Sequence, residues 1–135
     1  MKIGTLVSEI VEKLGGFKRQ PVKVIFGGPM MGIAQATLDV PVLKTTSGIL
    51  FFSQRWVPEY REYPCIKCAR CIDVCPLRLL PTKIAQAVKS GNMELAEEYN
   101  AIDCMECGCC EYICPSKIPL VAYIKLGKNY MLMKK

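Results

Sequence analysis

Two short segments hold all nine cysteines in this chain of 135 residues, and eight of them stand at the positions of a repeated motif. Each segment has the pattern C-x₂-C-x₂-C-x₃-C-P, and the second repeats the first at an offset of 39 residues. Four thiols within eleven positions are typical of iron–sulfur proteins, because thiolates spaced this closely can surround one inorganic cluster. The eight cysteines are Cys65, Cys68, Cys71, Cys75, Cys104, Cys107, Cys110 and Cys114.

The spacing within each motif predicts how the cysteines share two clusters. Three cysteines at three-residue steps can bind three corners of one cubane, whereas the fourth corner lies beyond the reach of the same loop. In proteins with two clusters, the last cysteine of this pattern binds the other cluster. The sequence therefore predicts two [4Fe–4S] clusters with exchanged ligands. Cluster 1 takes Cys65, Cys68, Cys71 and Cys114, and cluster 2 takes Cys104, Cys107, Cys110 and Cys75.

Zinc and disulfides explain the same cysteines less well. Zinc ribbons use separated C-x₂-C pairs, and an odd count of nine fits a closed disulfide set poorly. Histidine is absent from the sequence, which excludes Cys₂His₂ zinc and Rieske ligation. The ninth cysteine, Cys109, is predicted to be a small buried residue beside a cluster, and a redox or alternative-ligand role is the other interpretation.

Charge and hydropathy predict a cytoplasmic protein. The formal net charge is +6, and two oxidised cubanes with their thiolates would add about −4. The first residues lack the cleavage site of a secretory signal, and the longest apolar run, Gly48 to Phe52, is far too short to span a bilayer. Clustered cysteines in a reducing compartment indicate metal rather than disulfides.

The part of the chain before the first motif predicts a small α+β unit over residues 1–53. Residues 5–14 predict an amphipathic helix with Thr5 as its N-cap, and "GGPMMG" at 27–32 predicts a tight turn rather than a cofactor-docking surface. Three strands are predicted, at residues 22–26, 38–44 and 48–52.

Residues 54–63 are predicted to be a linker, with the single tryptophan, Trp56, packed at the junction. Residues 64–135 predict a mainly α-helical unit that contains both cysteine motifs. Its predicted helices span 82–90 and 93–98, the second capped by Asn92, and a C-terminal helix is weakened near its end by Gly127.

Four segments together resemble a known family: "KVIFGGPMMGIA", "LDVPVLKTTSGIL", "PCIKCARCIDVCPLRLLP" and "CMECGCCEYICPSKIPLVAYIK". The chain is similar to the C subunit of the Rnf complex, an ion-pumping ferredoxin:NAD⁺ oxidoreductase. The resemblance implies an α+β fold in which 1–53 form part of a soluble-ligand-binding β-grasp domain. Residues 64–135 would be a helical ferredoxin domain, whose cluster ligands match the eight motif cysteines one for one.

Two departures from that family carry further expectations. Family members are longer and carry upstream a domain for flavin mononucleotide and NADH, so neither an FMN nor an NAD site is expected here. The β-grasp of the family also begins with a hairpin that this chain lacks, which implies a fragment or a separately encoded remnant. An incomplete sheet predicts self-association or partner pairing through the edge at 22–26 or 48–52.

The resemblance implies an electron-transfer subunit on the cytoplasmic face of a membrane, in contact with the other proteins of the complex, a flavin and NADH-binding domain, and ferredoxin. No catalytic residue and no complete active site are expected in this chain, and no nucleic-acid partner is expected. Two alternatives stay open: a cobalamin reductase similar to that of propanediol-utilising microcompartments, and a small-ligand-binding module in which the clusters are structural.

Overall fold

The chain divides into two units, residues 1–59 and 60–135. The computed structural model describes residues 2–57 and 61–134. The boundary therefore falls within 58–60, outside the described residues, and the linker expected at 54–63 stays a prediction. Taken together, a small antiparallel sheet in the first unit and a mostly helical second unit confirm the α+β class.

The first unit consists of one helix and a three-stranded antiparallel sheet. The helix α1 spans Val7–Lys13, and the strands are β1 (Lys23–Phe26), β2 (Ile33–Gln35) and β3 (Ile49–Phe52). The strand order is β2-β1-β3, with Ile25 opposite Ala34 on one side and Leu50 on the other. Because β1 is central, its Val24 and Ile25 are both buried. The strands predicted at 22–26 and 48–52 are confirmed.

The turn predicted at 27–32 is also confirmed, since it folds closely back on β1. The Gly32 amide donates to the carbonyl of Gly28 at 2.8 Å. A Cβ atom at Gly32 would lie 2.4 Å from Cγ2 of Ile25, so only glycine fits there. The short strand β2 starts directly after this turn. The sequence did not predict it, because its exposed Ile33 is not part of a pattern of alternating apolar and polar residues.

The strand predicted at 38–44 is wrong. This segment runs beside the start of α1 and forms only an isolated bridge between Leu6 and Pro41. Pro41 has no amide hydrogen, so a continuous ladder cannot pass through it. The carbonyls of Leu38 and Val40 instead accept hydrogen bonds from the amides of Ser8 and Val7, respectively.

These bonds also explain why the N-cap predicted at Thr5 is wrong. Leu6 occupies the cap position and makes no side-chain cap bond, while the Thr5 hydroxyl donates to the Lys2 carbonyl at 2.7 Å. The segment at 38–40 satisfies the free amides of the first turn of α1, so no capping side chain is needed there. Burial of Trp56 is likewise wrong, because this side chain is 69% exposed and lies beside the Arg55 guanidinium.

The topology corrects one of the two expected sheet edges. Residues 22–26 are not an edge, because β1 pairs with β2 on one side and with β3 on the other. The segment 48–52 does lie at an edge of this sheet, as β3.

The second unit is helical. Its helices are α2 (Arg70–Asp73), α3 (Pro81–Lys89), α4 (Met93–Glu98), α5 (Cys109–Ile113) and α6 (Leu120–Met133). The helices predicted at 82–90 and 93–98 are confirmed, and Asn92 Oδ1 accepts a hydrogen bond from the Leu95 amide at 3.0 Å as the N-cap. Within residues 2–57 and 61–134, no helix is long and apolar enough to cross a membrane.

Helices α3 and α6 form the core of this unit. Ile84 on α3 and Leu120 on α6 are fully buried, and Ile124 is 1% exposed. Gly127 was predicted to weaken the C-terminal helix near its end, but it is buried in contact with Val88, and the helix continues to Met133. Burial of this apolar face offsets the low helix propensity of glycine.

Candidate metal centre

The two cysteine motifs have the same backbone course. Each forms a loop followed by a short helix, α2 in the first motif and α5 in the second. Two positions in each loop and one just after each motif have a positive φ, and every pair is offset by the same 39 residues. The pairs are Lys67 and Glu106 (both 57°), Ala69 (61°) and Gly108 (85°), and Arg78 and Lys117 (both 52°).

These unusual conformations present backbone amides to the sulfur atoms. The Lys67 amide donates to Cys65 Sγ at 3.4 Å, and the Glu106 amide donates to Cys104 Sγ at the same distance. The Leu79 amide donates to Cys75 Sγ, also at 3.4 Å. Positive φ costs free energy for a side-chain-bearing residue, and such strain often marks a functional loop. The result is a set of fixed dipoles that stabilise negative charge on sulfur.

Four of the motif cysteines line one open cavity of about 360 Å³, which we call site 1. Thr82 and Lys83 of α3 also line it. Cys68 is exposed at this site, whereas Cys71 and Cys114 are buried. Burial raises the pKa of the Cys71 thiol, and a hydrogen bond with Thr82 opposes that rise. The site 1 cysteines are Cys65, Cys68, Cys71 and Cys114.

The other four motif cysteines line a much tighter cavity of about 20 Å³, which we call site 2. Its walls are apolar and include Ile84 of α3 and Ile124 of α6. Burial is the main cause that raises the pKa of the Cys110 thiol to about 12, and the nearby Cys104 thiol adds to this rise. The site 2 cysteines are Cys75, Cys104, Cys107 and Cys110.

Each site thus combines three cysteines of one motif with the last cysteine of the other. This grouping matches the two sets expected from the spacing, and it follows from the packing of α2 against α5. Four thiols around a cavity are a donor set that suits a [4Fe–4S] cluster. The structure therefore supports the exchanged ligand assignment, which stays a proposal.

The geometry at the two sites differs from that of a single-ion centre. Within residues 2–57 and 61–134, no group of three Cys, His, Asp or Glu side chains converges closely enough to hold one metal ion. A cubane holds each of its four thiolates on a different iron atom, so its ligands stand further apart than the ligands of one metal ion. A structural zinc ion needs four ligands around one centre.

Cys109 lies beside the sites without lining either cavity. The sequence predicts a buried residue, but Cys109 is only half-buried at the start of α5, where the helix turns its side chain partly towards solvent. A hydrogen bond with Cys107 raises the pKa of the Cys109 thiol.

Three polar side chains that sequence reasoning missed hold the loops in place. Glu111 Oε2 accepts a hydrogen bond from the Val121 amide at 2.9 Å and so caps the first turn of α6. Ser116 Oγ donates to the Pro64 carbonyl at 2.9 Å. Lys128 Nζ donates to the Cys104 carbonyl at 2.6 Å. Each contact joins residues at least ten positions apart, so no local pattern signals it.

Comparison with known proteins matches residues 64–118 to the 4Fe-4S dicluster domain family. The C subunit of the proton-translocating ferredoxin:NAD(+) oxidoreductase complex of Clostridium ljungdahlii is 45% identical over 85 residues, which cover 63% of this chain and 19% of that protein. The C subunit of the ion-translocating oxidoreductase complex of Rhodobacter capsulatus is 45% identical over 126 residues, covering 93% of this chain and 24% of that protein.

A third relative is the C subunit of the Na(+)-translocating ferredoxin:NAD(+) oxidoreductase complex of Acetobacterium woodii. It is 41% identical over 132 residues, which cover 98% of this chain and 30% of that protein. The chain therefore spans less than a third of the length of these curated relatives. Residues 64–118 form a dicluster domain, which carries two [4Fe–4S] clusters.

Proposed function

The chain is homologous to part of the C subunit of ion-translocating oxidoreductase complexes, and on that premise we propose that it relays single electrons through two [4Fe–4S] clusters within such a complex. The observation that carries the proposal is the division of eight cysteines between two cavities with four thiols each. A relay needs two neighbouring redox centres, and the exchanged cysteines make the two sites parts of one helical unit.

The proposed ligands follow the lining of the cavities. Cluster 1 is bound by the site 1 cysteines and cluster 2 by the site 2 cysteines. The segment between Cys75 and Cys104 becomes a loop that is closed through metal, so cluster binding and folding of the second unit are coupled. We place the cluster-binding domain at 64–135, the partial β-grasp domain at 1–53 and the linker at 54–63.

The chain contributes position and electrostatics rather than bond chemistry. When bound, a [4Fe–4S] cluster supplies one-electron oxidation and reduction. The amides of Lys67, Glu106 and Leu79 hold the sulfur atoms of Cys65, Cys104 and Cys75 through hydrogen bonds of 3.4 Å. Site 2 is a tight cavity with apolar walls around the buried Cys110, whereas site 1 is open on the side of Cys68.

The proposed partners are the other subunits of the complex, a flavin and NADH-binding domain, and ferredoxin. The names of two relatives, which describe ferredoxin:NAD(+) oxidoreductase complexes, support this choice. The proposed location is cytoplasmic and peripheral on the inner face of the membrane. Strand β3 is the edge through which we expect the sheet to pair with a partner or a second copy.

Anaerobic reconstitution of the full chain with iron and sulfide tests the function. We expect about eight iron atoms per chain, and two interacting paramagnetic centres in the electron paramagnetic resonance (EPR) spectrum after reduction. Zinc at the cysteines, disulfides, or a single cluster would contradict the proposal. Clusters that keep one redox state under strong reductant would favour the ligand-binding alternative, and reduction of a corrinoid would favour the cobalamin reductase alternative.

A further inference from the structure

Lys128 of α6 reaches the loop that carries a site 2 cysteine. Its Nζ donates to the backbone carbonyl of Cys104 at 2.6 Å and lies 2.8 Å from Oε1 of Glu106. The Lys128 side chain is 16% exposed and that of Glu106 is 30% exposed, so solvent screens this pair only partly. The contact joins the helix that closes site 2 directly to a residue that lines it.

Glu106 is part of the same loop conformation. It has a φ of 57°, and its amide donates to Cys104 Sγ at 3.4 Å. Lys128 therefore contacts the Cys104 loop at two points, the carbonyl of Cys104 and the carboxylate of Glu106. The Glu106 amide, which donates to Cys104 Sγ, lies between these two points along the chain. Lys125 also faces Glu106, but its Nζ lies 3.8 Å from the carboxylate and its side chain is 33% exposed.

The internal repeat shows what this lysine adds. The position equivalent to Glu106 in the first motif is Lys67, whose amide makes the equivalent bond to Cys65 Sγ. In the first motif the loop itself supplies a cation, and in the second the loop supplies an anion. A cation reaches the second loop from α6 instead, so both sites have a lysine next to the same backbone turn.

The packing of α6 fixes the position of Lys128. The preceding residue, Gly127, is in contact with Val88 of α3, and the first turn of the helix is held by Glu111 through the Val121 amide. Rotation or sliding of α6 would break these contacts, so Lys128 is presented to the loop in one register. A surface ion pair alone would contribute little, but a cation held at the carbonyl of a cluster-lining residue acts on the cluster at short range.

We propose that Lys128 is a positioning residue for the cluster at site 2, fastening the Cys104 loop and raising the reduction potential of that cluster by its positive charge. This inference rests on the proposed electron-transfer function. Reduction adds negative charge to a cluster, so a nearby cation stabilises the reduced form and raises the potential, whereas an anion lowers it. Lys128 and Glu106 therefore act on the same cluster with opposite sign.

The experiment is an EPR-monitored redox titration of the full chain after anaerobic reconstitution. We expect K128M to lower the midpoint potential of one cluster and to leave the other unchanged. E106Q should raise the potential of that same cluster. K128R keeps the charge and should stay closer to the unsubstituted chain than K128M does.

Two matched controls accompany these variants. K125M removes a more exposed and more distant lysine of the same helix, so its shift should be smaller than that of K128M. K67M removes the lysine at the equivalent position of the first motif and should lower the potential of the other cluster. Loss of iron to a chelator should be about tenfold faster from K128M than from K125M, the usual size of effects from outer contacts of a metal site.

The potential shifts distinguish two roles of Lys128, holding the Cys104 loop in place and supplying a positive charge to the cluster. If Lys128 only held the loop, K128M and E106Q would shift the potential in the same direction, which would overturn the electrostatic role. Equal shifts of both clusters, or no shift in either variant, would also overturn the proposal. Where K128M does not assemble, E106Q and K128R decide the question. A chain without substitutions that binds fewer than two clusters would refute the proposed function instead.

Discussion

A Cβ atom on Gly127 would lie 2.5 Å from Cγ2 of Val88, so the two helices that bury the core of the second unit meet at a glycine. Valine in a helix has one strongly preferred χ1 rotamer, and Val88 cannot easily turn its methyl group away. The close approach of α3 and α6 therefore depends on the absence of a side chain at residue 127.

G127A should destabilise the loaded chain. Overpacking costs about 1–3 kcal/mol, and replacing glycine in a helix returns up to about 1 kcal/mol. We expect the free energy of unfolding to fall by about 1 kcal/mol, measured as a lower urea midpoint under anaerobic conditions. In a V88A background the clash is absent, so G127A should cost less stability there than in the unsubstituted chain. A midpoint that rises in G127A would show that the helices are not in contact there.

Double cysteine variants distinguish exchanged from unexchanged ligands. In the exchanged arrangement Cys75 and Cys104 serve one cluster, so C75S/C104S should retain about four irons per chain. C75S/C65S should retain almost no iron, because it removes one ligand from each site. An unexchanged arrangement predicts the reverse result. C109S lines neither cavity and should keep about eight irons, which makes it the control for serine substitution itself.

The cluster at site 1 should be lost before the cluster at site 2. Site 1 is open and includes the exposed Cys68, whereas site 2 is tight and apolar. The variant C75S/C104S retains only site 1, and C65S/C114S retains only site 2. Chelator should remove iron several times faster from the first variant, as followed by visible absorbance. Equal rates in the two variants would show that the cavity walls do not control access.

Removal of iron should unfold much of the second unit. The loops carry strained residues with positive φ, such as Lys67 and Glu106, and metal binding compensates this strain, so the loops lose their main support once metal is gone. Far-ultraviolet circular dichroism should show a loss of helical signal after chelation and its recovery after reconstitution. A full helical signal without iron would mean that the helices fold independently of the clusters.

Local patterns accounted for the features that depend on neighbouring residues. The cysteine spacing grouped the cysteines in the same two sets of four that line the two cavities, while their role as cluster ligands stays a proposal. Asn92 predicted the start of α4, because cap and helix lie side by side in the sequence. The strand expected at 38–44 failed for the opposite reason. Its alternating residues resemble a strand, but its backbone partners are residues 4–8, and Pro41 interrupts the ladder.

Contacts between distant residues could not be predicted. Glu106 and Lys128 lie 22 positions apart, and the sequence around each suggests only a solvated charge. Gly127 was predicted to weaken a helix because its propensity is low, yet tertiary packing at Val88 decided its role. Strand β2 was missed because it is three residues long, and two of those residues are exposed.

The mixed lining of the two cavities has a consequence for how the protein is made. During synthesis the first motif leaves the ribosome with only three of the thiols that line site 1, and the missing one, Cys114, emerges 39 residues after Cys75. The tighter site cannot be completed before Cys110 has emerged. On the proposed ligand assignment, neither centre can mature on a nascent chain that stops between the motifs, and cofactor insertion has to wait until the second motif has emerged.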